Sequence, residues 1–463
     1  MSLELLLEKI KDKKIIILGF GKEGISTYKF IRRHFPKQKL TIADRNANLV
    51  TDEIDDKHVK FVKGEKYDRN LNNYDLIFKS PGISFNNIDY YIESERITSQ
   101  TNLFLEYFGQ QTIGVTGTKG KSTTASLIYH ILKDSHKDVY LAGNIGTPFF
   151  DIIENIGEKS LVVAELSAHQ LEFVQASPKY AVLLNIYQEH LDHFNSFNNY
   201  QIAKLNITKF QKEGDFLVYN GDDEHIPSLV KGYKIDNEKC VFGSKVHTGY
   251  HVRCSNHIIK FMNEGEIIDE YDLIDYKNLP GTHNYYNIMA AVAICKRVGA
   301  THDGILDSLQ TFKGLPHRIE FVGKYNGIEF YNDSISTIPE AAIAACRALR
   351  EVETLILGGF DRGIDYMPLV DFLKEFKIQN IIFTGPAGKR ILQLCKDNNV
   401  ELGNVIETDD FEQMTDFAFA HTPENGTVLL SPAAASYNQF KNFEERGNHF
   451  KDCIIKSYKK LKK

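Results

Sequence analysis

The sequence lacks the features of secreted, membrane-spanning and nucleic-acid-binding proteins. Its six cysteines form no CxxC pair, which favours free thiols in a reducing compartment. It has no run of about 18 apolar residues, so we expect no transmembrane helix. The apolar stretch within residues 1–14 is too short for a signal peptide. The net charge of -6 gives no general attraction for nucleic acid or anionic membranes. We therefore expect a cytoplasmic protein with neither kind of partner.

Strand-like and helical patterns alternate along the whole chain. Apolar runs such as residues 14–18 and 161–164 are separated by helical segments, which indicates parallel α/β sheets with crossover helices. The chain has 463 residues, too many for one ordinary core, so we expect several domains. Breaks are predicted near Thr101 and at residues 312–316. Residues 215–275, rich in Gly, Asn and Asp, are predicted to form a small antiparallel insertion.

The strongest local signal is a glycine-rich loop between a strand at residues 112–115 and a helix predicted at 125–134. The loop reads GVTGTKGKST, with a leading glycine one residue away from the usual GxxxxGK[ST] spacing. Backbone N–H groups of such a loop cradle phosphates, its lysine reaches the β/γ-phosphates, and its serine binds Mg²⁺. A structural turn with a surface lysine is the alternative. The predicted nucleotide-binding residues here are Gly114, Gly117, Thr118, Lys119, Gly120, Lys121, Ser122 and Thr123.

A second glycine-rich turn follows the first strand. It reads GFGKEG at residues 19–24, leads into a helix predicted at 25–35, and is followed by Asp44 at the end of the next strand. This spacing is typical of dinucleotide-binding folds. With a further turn at residues 80–82, it predicts a nucleotide diphosphate across these strand ends. A structural turn and NAD chemistry are the alternatives, and NAD is disfavoured because the phosphate loop already supplies a nucleotide site.

Three chemically capable side chains follow neighbouring predicted strands. Glu165 comes directly after a buried strand, His190 follows the next strand, and Lys204 lies on the helix after it. Strand ends are where open α/β sheets place their sites, and carboxylate and imidazole groups bind metal ions. Each residue alone is more often structural than catalytic. Together, beside a phosphate loop, they predict a Mg²⁺–nucleotide site.

These motifs, in this order, resemble the Mur ligases. The matching segments lie at residues 114–122, 143–146, 165–170, 190–193, 281–287, 314–318, 332–334 and 430–447. They span nearly the whole chain, and the last of them, LSPAAASYNQFKNFEERG, resembles the glutamate-adding branch. The resemblance implies ATP-dependent joining of D-glutamate to UDP-N-acetylmuramoyl-L-alanine through an acyl phosphate, a step of cytoplasmic peptidoglycan precursor synthesis.

The resemblance further implies three α/β domains. These are a Rossmann-like UDP-precursor domain at residues 1–103, a P-loop ATPase-like central domain at 104–313, and a Rossmann-like glutamate domain at 314–463. ATP and two Mg²⁺ ions are implied, and Lys204 matches a lysine that family members carbamylate. The implied catalytic residues are Lys121, Glu165, His190 and Lys204. The implied metal ligands are Ser122, Glu165, His190 and Lys204. The implied precursor residues are Gly21, Lys22, Glu23, Gly24, Asp44, Ser80, Pro81, Gly82, Asn144, Ser167 and Gln170. Further ATP residues are Asn284, Asn287, Arg318 and Asp333, and the glutamate residues are Thr337, Arg362, Ser436 and Phe443.

Two departures concern the amino acid that is added. This chain has Ile335 where the branch carries a lysine that binds a glutamate carboxylate, and it has Arg362 in a turn where lysine is common. Arginine binds a carboxylate as a fork rather than as a point charge. L-glutamate is therefore an alternative substrate. A folate-extending ligase is a further alternative, disfavoured by residues 436–446 and by the glycine-rich turn at residues 19–24. A regulatory ATPase is another, disfavoured by the four implied catalytic residues. We expect a monomer.

Overall fold

The computed structural model describes residues 2–51, 54–86, 88, 90–135, 138–245, 247–274, 276, 278–349 and 351–462. The chain divides into two compact units. Unit 1 is Met1–Asp275 with Tyr285–Gln310, and unit 2 is Tyr276–Asn284 with Thr311–Lys463. In the described part of the chain, no helix has the length and apolar content that a bilayer crossing requires.

Short apolar strands alternate with helices in the first sheet of unit 1. The strands are β1 (Ile15–Leu18), β2 (Leu40–Asp44), β3 (Val59–Lys63), β4 (Leu76–Lys79) and β5 (Ile97–Thr98). They are all parallel, in the order β3-β2-β1-β4-β5. The helices are α1 (Ser2–Ile10), α2 (Lys22–His34) and α3 (Gln100–Phe108). Helix α2 begins at Lys22, before the predicted start, because its first turn has no apolar periodicity to reveal it.

The central sheet carries nine strands. They are β6 (Thr112–Thr116), β7 (Val139–Gly143), β8 (Leu161–Glu165), β9 (Tyr180–Leu183), β10 (Phe216–Asn220), β11 (Glu238–Gly243), β12 (His251–Ser255), β13 (Ile258–Asn263) and β14 (Glu266–Asp272). Their order is β14-β13-β12-β11-β10-β9-β6-β8-β7. The helices are α4 (Lys121–Ser135), α5 (Phe149–Ile152), α6 (Ala168–Leu171), α7 (Leu191–Phe194), α8 (Phe197–Lys209), α9 (Ile226–Gly232), α10 (Thr282–Arg297) and α11 (His302–Thr311).

The antiparallel part of this sheet is smaller than predicted. Only β12, β13 and β14 pair antiparallel with one another. Strands β10 and β11, which lie inside the predicted insertion, pair parallel and extend the main sheet. Phe216, Leu217 and Val218 of β10 are fully buried, as a strand covered on both faces requires. The polar composition of the flanking loops concealed this strand from the sequence pattern.

One hydrophobic core joins the first and central sheets within unit 1. The ring of Phe30 lies 4.4 Å from that of Phe150, and the ring of Phe104 lies 4.3 Å from that of Phe149. All four side chains are buried. Burying a phenylalanine contributes about 1.5–3 kcal/mol, so these contacts hold helices α2 and α3 of the first sheet against helix α5 of the central sheet.

Unit 2 contains a six-stranded sheet. Its strands are β15 (Glu320–Tyr325), β16 (Ile328–Asn332), β17 (Thr354–Gly358), β18 (Asn380–Thr384), β19 (Asn404–Glu407) and β20 (Thr427–Leu430), in the order β15-β16-β20-β17-β18-β19. Only the β15–β16 pair is antiparallel among the described pairs. The helices are α12 (Pro339–Ala348), α13 (Met367–Glu375), α14 (Gly385–Asp397), α15 (Phe411–His421) and α16 (Phe443–Leu461). The α/β class inferred from the sequence is confirmed for all three sheets.

Candidate active site

The phosphate loop turns sharply from β6 into α4. Gly120 has a φ of +83°, and a Cβ there would overlap the side-chain oxygen of Asn287. Asn185, at the end of the neighbouring β9, accepts hydrogen bonds from the backbone N–H of Thr118 (2.8 Å) and, through its side chain, of Lys119 (2.7 Å). The loop is therefore shaped by its neighbours, and the first N–H groups of α4 open onto it, as in phosphate-binding loops.

Lys121 lies over this loop. Its Nζ donates to the carbonyl groups of Gly117 (2.8 Å) and Thr118 (2.9 Å). Ser122 follows it in the first turn of α4, where its hydroxyl can reach a nucleotide-bound cation. Gly114, also predicted to bind ATP, lies inside β6, and a Cβ there would come within 2.7 Å of Pro178. Its lack of a side chain serves packing of the strand.

Glu165 closes β8, between the ends of β6 and β7. One carboxylate oxygen accepts a 2.7 Å hydrogen bond from the side chain of Asn144. The other oxygen, Oε2, is buried and has no hydrogen-bond partner among the described residues. A buried, unsatisfied carboxylate oxygen is costly unless it has a cation to bind. The carboxylate therefore fits a Mg²⁺ ligand.

His190 lies on the loop that follows β9. Its backbone adopts a φ of +56°, a left-handed conformation that is uncommon for a residue other than glycine and is often found at functional sites. Its half-exposed ring lies 4.8 Å from the ring of His169 and 6.2 Å from that of Tyr200. The preceding Glu189 forms an ion pair with Lys119 of the phosphate loop at 2.6 Å. The imidazole is thus held beside the phosphate loop with access to solvent.

Lys204 is fully buried on α8 and points at the phosphate loop. Its Nζ donates to the Gly117 carbonyl at 2.7 Å and lies 4.8 Å from the ring centre of Tyr200. Burial, with the nearby charge of Lys121 as a second cause, holds the pKa of the amine well below its ordinary value. Tyr200 in turn contacts the Thr118 hydroxyl at 3.0 Å. The sequence analysis missed Tyr200, although it lies four residues before Lys204, on the same helix face.

The residues that could hold Mg²⁺ are dispersed rather than preassembled. Among the described residues, no three His, Cys, Asp or Glu side chains converge as a metal cluster. Mg²⁺ commonly binds through one or two carboxylates together with substrate phosphates and water. Glu165, with its unsatisfied oxygen beside the phosphate loop, fits that mode of binding.

The glycine turn of the first sheet is built around two short side chains. Asp44 accepts the backbone N–H of Phe20 at 2.7 Å, and Ser80 donates its hydroxyl to the Gly19 carbonyl at 2.9 Å. A Cβ at Gly24 would overlap the same Gly19 carbonyl. The predicted precursor segments 19–24, 44 and 80–82 therefore lie together at the carboxyl end of this sheet.

Contacts within unit 1 link this turn to the central sheet. The Lys22 ammonium donates to the Gly146 carbonyl at 2.9 Å, and the Gln170 side chain donates to Glu23 at 2.8 Å. Ser167 caps α6 and forms a reciprocal capping box with Gln170. The structure thus brings the predicted precursor residues of both sheets together, a proximity that the sequence analysis had inferred only from the resemblance.

In unit 2, Asp333 is buried at the end of β16. It accepts hydrogen bonds from the hydroxyls of Ser336 (2.5 Å) and Ser431 (2.7 Å) and from the Ile319 N–H (3.1 Å). Burial raises the pKa of the carboxyl to about 6, although these hydrogen bonds oppose the shift. The charge of Arg318 is close enough to lower the pKa slightly. Asn284, also in unit 2, donates to the Pro280 carbonyl at 2.7 Å.

Arg362 reaches the segment in which the family lysine is absent. Its guanidinium donates to the Thr337 carbonyl at 2.8 Å, two residues beyond Ile335. Among the described residues it forms no ion pair with a carboxylate. The neighbouring Asp361 is instead paired with Arg390, which donates to both carboxylate oxygens at 2.9 Å. Arg362 is therefore a cation that remains available to an acidic ligand.

Ser436 and Phe443 flank a loop that a buried arginine fastens. Arg446 donates to the Ser334 hydroxyl at 3.0 Å and to the carbonyls of Ser334 at 2.8 Å and Ala434 at 3.0 Å. Burial lowers its pKa to about 10. Ser334 also donates to the Phe443 carbonyl at 2.8 Å. The loop containing Ser436 is thus fixed next to the strand end that bears Asp333.

Comparisons with known proteins cover the length of the chain. The Mur ligase MurD-like N-terminal domain matches residues 13–93, the Mur ligase middle domain matches 115–295, and the glutamate ligase domain of Mur ligases matches 317–434. The UDP-N-acetylmuramoylalanine–D-glutamate ligase of Oceanobacillus iheyensis is 35% identical over 446 residues, 94% of this chain and 96% of that protein. The enzyme of the same name from Ligilactobacillus salivarius is 32% identical over 471 residues, 98% of this chain and 99% of that protein.

Solved structures agree on the fold. A UDP-N-acetylmuramate–alanine ligase from Thermotoga maritima superposes with a TM-score of 0.56 at 19% identity, covering 97% of this chain and all of that one. A MurF ligase from the same organism, in complex with ADP, superposes with a TM-score of 0.55 at 20% identity, covering 84% and 90% of the two chains. Because the relatives match at more than 30% identity over nearly the full chain, and because the three family domains follow one another in order, this chain belongs to the Mur ligase family.

Proposed function

We propose that this chain adds D-glutamate to UDP-N-acetylmuramoyl-L-alanine at the expense of ATP. The unsatisfied Glu165 oxygen beside the phosphate loop carries the proposal, because it supports cation-assisted chemistry at the γ-phosphate. The curated relatives of similar length bear the name of that reaction, and the family is one of ATP-dependent ligases. A regulatory ATPase would need neither a binding site for glutamate nor the turns at residues 19–24 and 80–82 that are predicted to bind the precursor.

The first chemical step activates the carboxylate of the alanyl group. One of its oxygens attacks the γ-phosphorus of ATP, a new O–P bond forms, and the bond to the ADP oxygen breaks. Lys121 at the phosphate loop stabilises the negative charge on the phosphate oxygens, and the loop N–H groups hold them in line. Oxide is a poor leaving group, whereas phosphate is a good one, which is why the acyl phosphate is needed.

The second step forms the amide bond. The amine of glutamate, once deprotonated, attacks the acyl carbon, and the tetrahedral intermediate collapses as the C–O bond to phosphate breaks. We propose that Arg362, Thr337, Ser436 and Phe443 hold the glutamate, with Arg362 on a carboxylate. Proximity and orientation then supply much of the acceleration.

Two Mg²⁺ ions would be held by Ser122, Glu165, His190 and a modified Lys204. Mg²⁺ supplies charge neutralisation on the phosphates. We propose that Lys204 reacts with CO₂, forming an N–C bond and releasing a proton, so that a buried amine becomes a carbamate anion able to orient the second ion. Its complete burial favours this reaction, because burial disfavours the ammonium form and the uncharged amine is the nucleophile.

We propose that each of the three sheets, with its helices, binds a different substrate. We propose that residues 1–103 bind the UDP part, residues 104–313 bind ATP, and residues 314–463 bind glutamate. Asn284, Asn287 and Arg318 would lie near the adenine and phosphates of ATP, and Asp333 near its ribose. Gly21–Gly24, Asp44, Ser80–Gly82, Asn144, Ser167 and Gln170 would contact the precursor. We further propose that the enzyme acts as a monomer in the cytoplasm.

The stereochemistry of the amino acid is open to one specific alternative. Ile335 stands where the family usually carries a lysine, and Arg362 supplies a cation that reaches Thr337, two residues away. L-glutamate remains a candidate because a carboxylate held from a different direction changes which enantiomer places its amine near the acyl carbon. We favour D-glutamate because the curated relatives are named for it.

A phosphate-release assay tests the proposal. Phosphate should appear only when ATP, UDP-N-acetylmuramoyl-L-alanine and glutamate are all present, and D-glutamate should outperform L-glutamate. Lys121→Ala should abolish release. ATP hydrolysis that is independent of the precursor and of glutamate would support a regulatory ATPase instead, and a preference for L-glutamate would overturn the stereochemical part alone.

A further inference from the structure

A lysine that the chemistry above does not use is buried at the end of β4. The Lys79 side chain is only 3% exposed, and its ammonium lies 3.1 Å from the Glu172 carboxylate. The ammonium also faces the rings of Phe85 and Phe173, with 5.9 and 5.1 Å to the ring centres. Lysine is rarely buried so completely, and residues 80–82, the second precursor turn, follow it directly.

Glu172 lies in the central-sheet region of unit 1 and has a second partner. It follows α6, and its Oε2 also lies 3.0 Å from His193 Nε2. The His193 carbonyl accepts a hydrogen bond from the side chain of Asn86, which lies beyond the precursor turn. His193 is three residues from His190, whose loop is packed beside the phosphate loop.

A separate contact joins the segment at residues 165–172, which contains Glu172, to the first precursor turn, residues 19–24. Gln170 of α6 donates to Glu23 at 2.8 Å, and burial raises the pKa of that carboxyl. Residues 165–172 therefore begin with the proposed Mg²⁺ ligand Glu165 and end with the partner of Lys79. The first precursor turn contacts this segment through the hydrogen bond of Glu23, and the second is connected to it through the ion pair of Lys79, the residue directly before that turn.

We propose that Lys79 and Glu172 are positioning residues that fix the precursor turn at residues 80–82 against the γ-phosphate side of the site. The inference rests on the proposed function. Two apolar side chains could fill the space of Lys79 and Glu172 with similar stability. The Glu172 carboxylate, however, is shared between Lys79 and His193, and these directional contacts also fix how the two segments are oriented. Misplacing reacting groups by about 1 Å costs on the order of a hundredfold in rate, so the placement of the turn at residues 80–82 matters to catalysis.

Kinetics and unfolding of paired variants test the inference. Lys79→Met and Glu172→Gln should each lower the urea midpoint, because each leaves one buried polar partner unmatched. The double variant should recover much of that stability. All three should raise the KM for the UDP precursor by roughly tenfold while the KM for ATP changes far less. Because KM does not depend on the amount of folded enzyme, partial unfolding does not obscure the result.

Matched variants separate positioning from general stability. Lys296 and Asp269 form a second, largely buried ion pair in unit 1, with a 2.6 Å contact on an outer strand of the central sheet. Lys296→Met should lower stability without raising the precursor KM. Glu172→Asp retains the charge but shortens the link, and it should still raise that KM.

An unchanged precursor KM in the Lys79→Met, Glu172→Gln or Glu172→Asp variants of an active enzyme would overturn this inference alone. The same conclusion would follow if the double variant restored the precursor KM together with stability. If wild-type enzyme released no phosphate in the presence of the UDP precursor and glutamate, the proposed function itself would fail, a result recognisable before any variant is made.

Discussion

Burial is the largest cause that holds the pKa of the Lys204 amine below its ordinary value. An amine in contact with the Gly117 carbonyl and enclosed by Tyr200 is poorly hydrated, so its charged form is disfavoured. Lys204→Ala should reduce ligase turnover by at least about a hundredfold, as expected when an anion that orients a metal is lost. The measurement is phosphate release with both substrates.

Chemical rescue distinguishes a carbamate from an ordinary lysine. If Lys204 acts as a carbamate, formate or acetate should restore part of the activity of Lys204→Ala, because a small carboxylate can occupy the place of the missing anion. Carbon-13 bicarbonate should label the wild-type enzyme at this residue. The carbamate would be removed from the mechanism if Lys204→Ala were fully active. The same would follow if active wild-type enzyme took up no label from carbon-13 bicarbonate at this residue.

Arg362 gives a prediction about the amino-acid substrate. Arg362→Met should raise the KM for glutamate by roughly a hundredfold, because a charge-assisted, bidentate contact is lost. The KM for ATP should hardly change. Arg362→Lys should recover part of the affinity as a point charge. Equal glutamate KM values for wild type and Arg362→Met would show that another group binds the carboxylate, while leaving the ligase reaction intact.

Asp333 gives a pH dependence of stability whose sign follows from its environment. Its folded pKa of about 6 lies above the ordinary 3.8, so the folded state holds the proton more tightly than the unfolded state. The stabilisation that Asp333 contributes is fully present at a pH below its unfolded-state pKa, and it is lost as the pH rises through its folded-state pKa. Relative to Asp333→Asn, wild type should lose up to about 1.4 kcal/mol per pH unit across that window.

Urea unfolding at several pH values measures this difference. Other carboxylates titrate alike in both proteins, so the comparison isolates position 333. Parallel stability curves for wild type and Asp333→Asn would mean that Asp333 is ionised in the folded protein throughout the window, with its serine partners compensating fully for burial.

At the scale of elements, the phosphate loop depends on a backbone shape that only glycine adopts easily. Gly120 combines a φ of +83° with direct contact to Asn287, so Gly120→Ala should displace the loop and weaken ATP binding by at least about tenfold. Gly232 ends α9 with open space around its Cα, and Gly232→Ala is the matched control. Nucleotide binding measured by calorimetry should separate the two variants, and equal affinities would contradict the steric argument.

The sequence pattern located elements better than it located their ends. It identified the strands before both glycine turns because continuous apolar runs are unambiguous. It placed the start of α4 at residue 125, whereas the helix begins at Lys121. Polar first-turn residues carry no apolar period, and the loop geometry that starts the helix depends on Asn185 and Asn287, which lie far away in sequence. The parallel pairing of β10 was missed for another reason, because the polar loops on either side of that strand concealed it.

At the scale of the whole molecule, the proposed precursor residues all belong to unit 1. A bound ligand stabilises the state that binds it, so amide exchange slows in segments whose opening would break the ligand's contacts. The UDP precursor should therefore slow amide exchange in peptides covering residues 19–24, 80–83 and 165–172, with little change in β17 and β18 of unit 2. Hydrogen exchange with and without the precursor measures this. Protection centred on unit 2 would contradict the assignment.

The sequence by itself determined the α/β class and predicted the phosphate loop, because these depend on local periodicity and on a short motif with a fixed chemical role. Most of the other candidate-site residues were predicted only from the resemblance to the Mur ligases. The sequence did not reveal the Lys79–Glu172 pair, the unsatisfied oxygen of Glu165, or the reach of Arg362 to residue 337. Those properties arise when distant segments pack against each other and exclude water. Burial and contact across the chain are decided by tertiary structure, since no local pattern encodes which partner a charged side chain will meet.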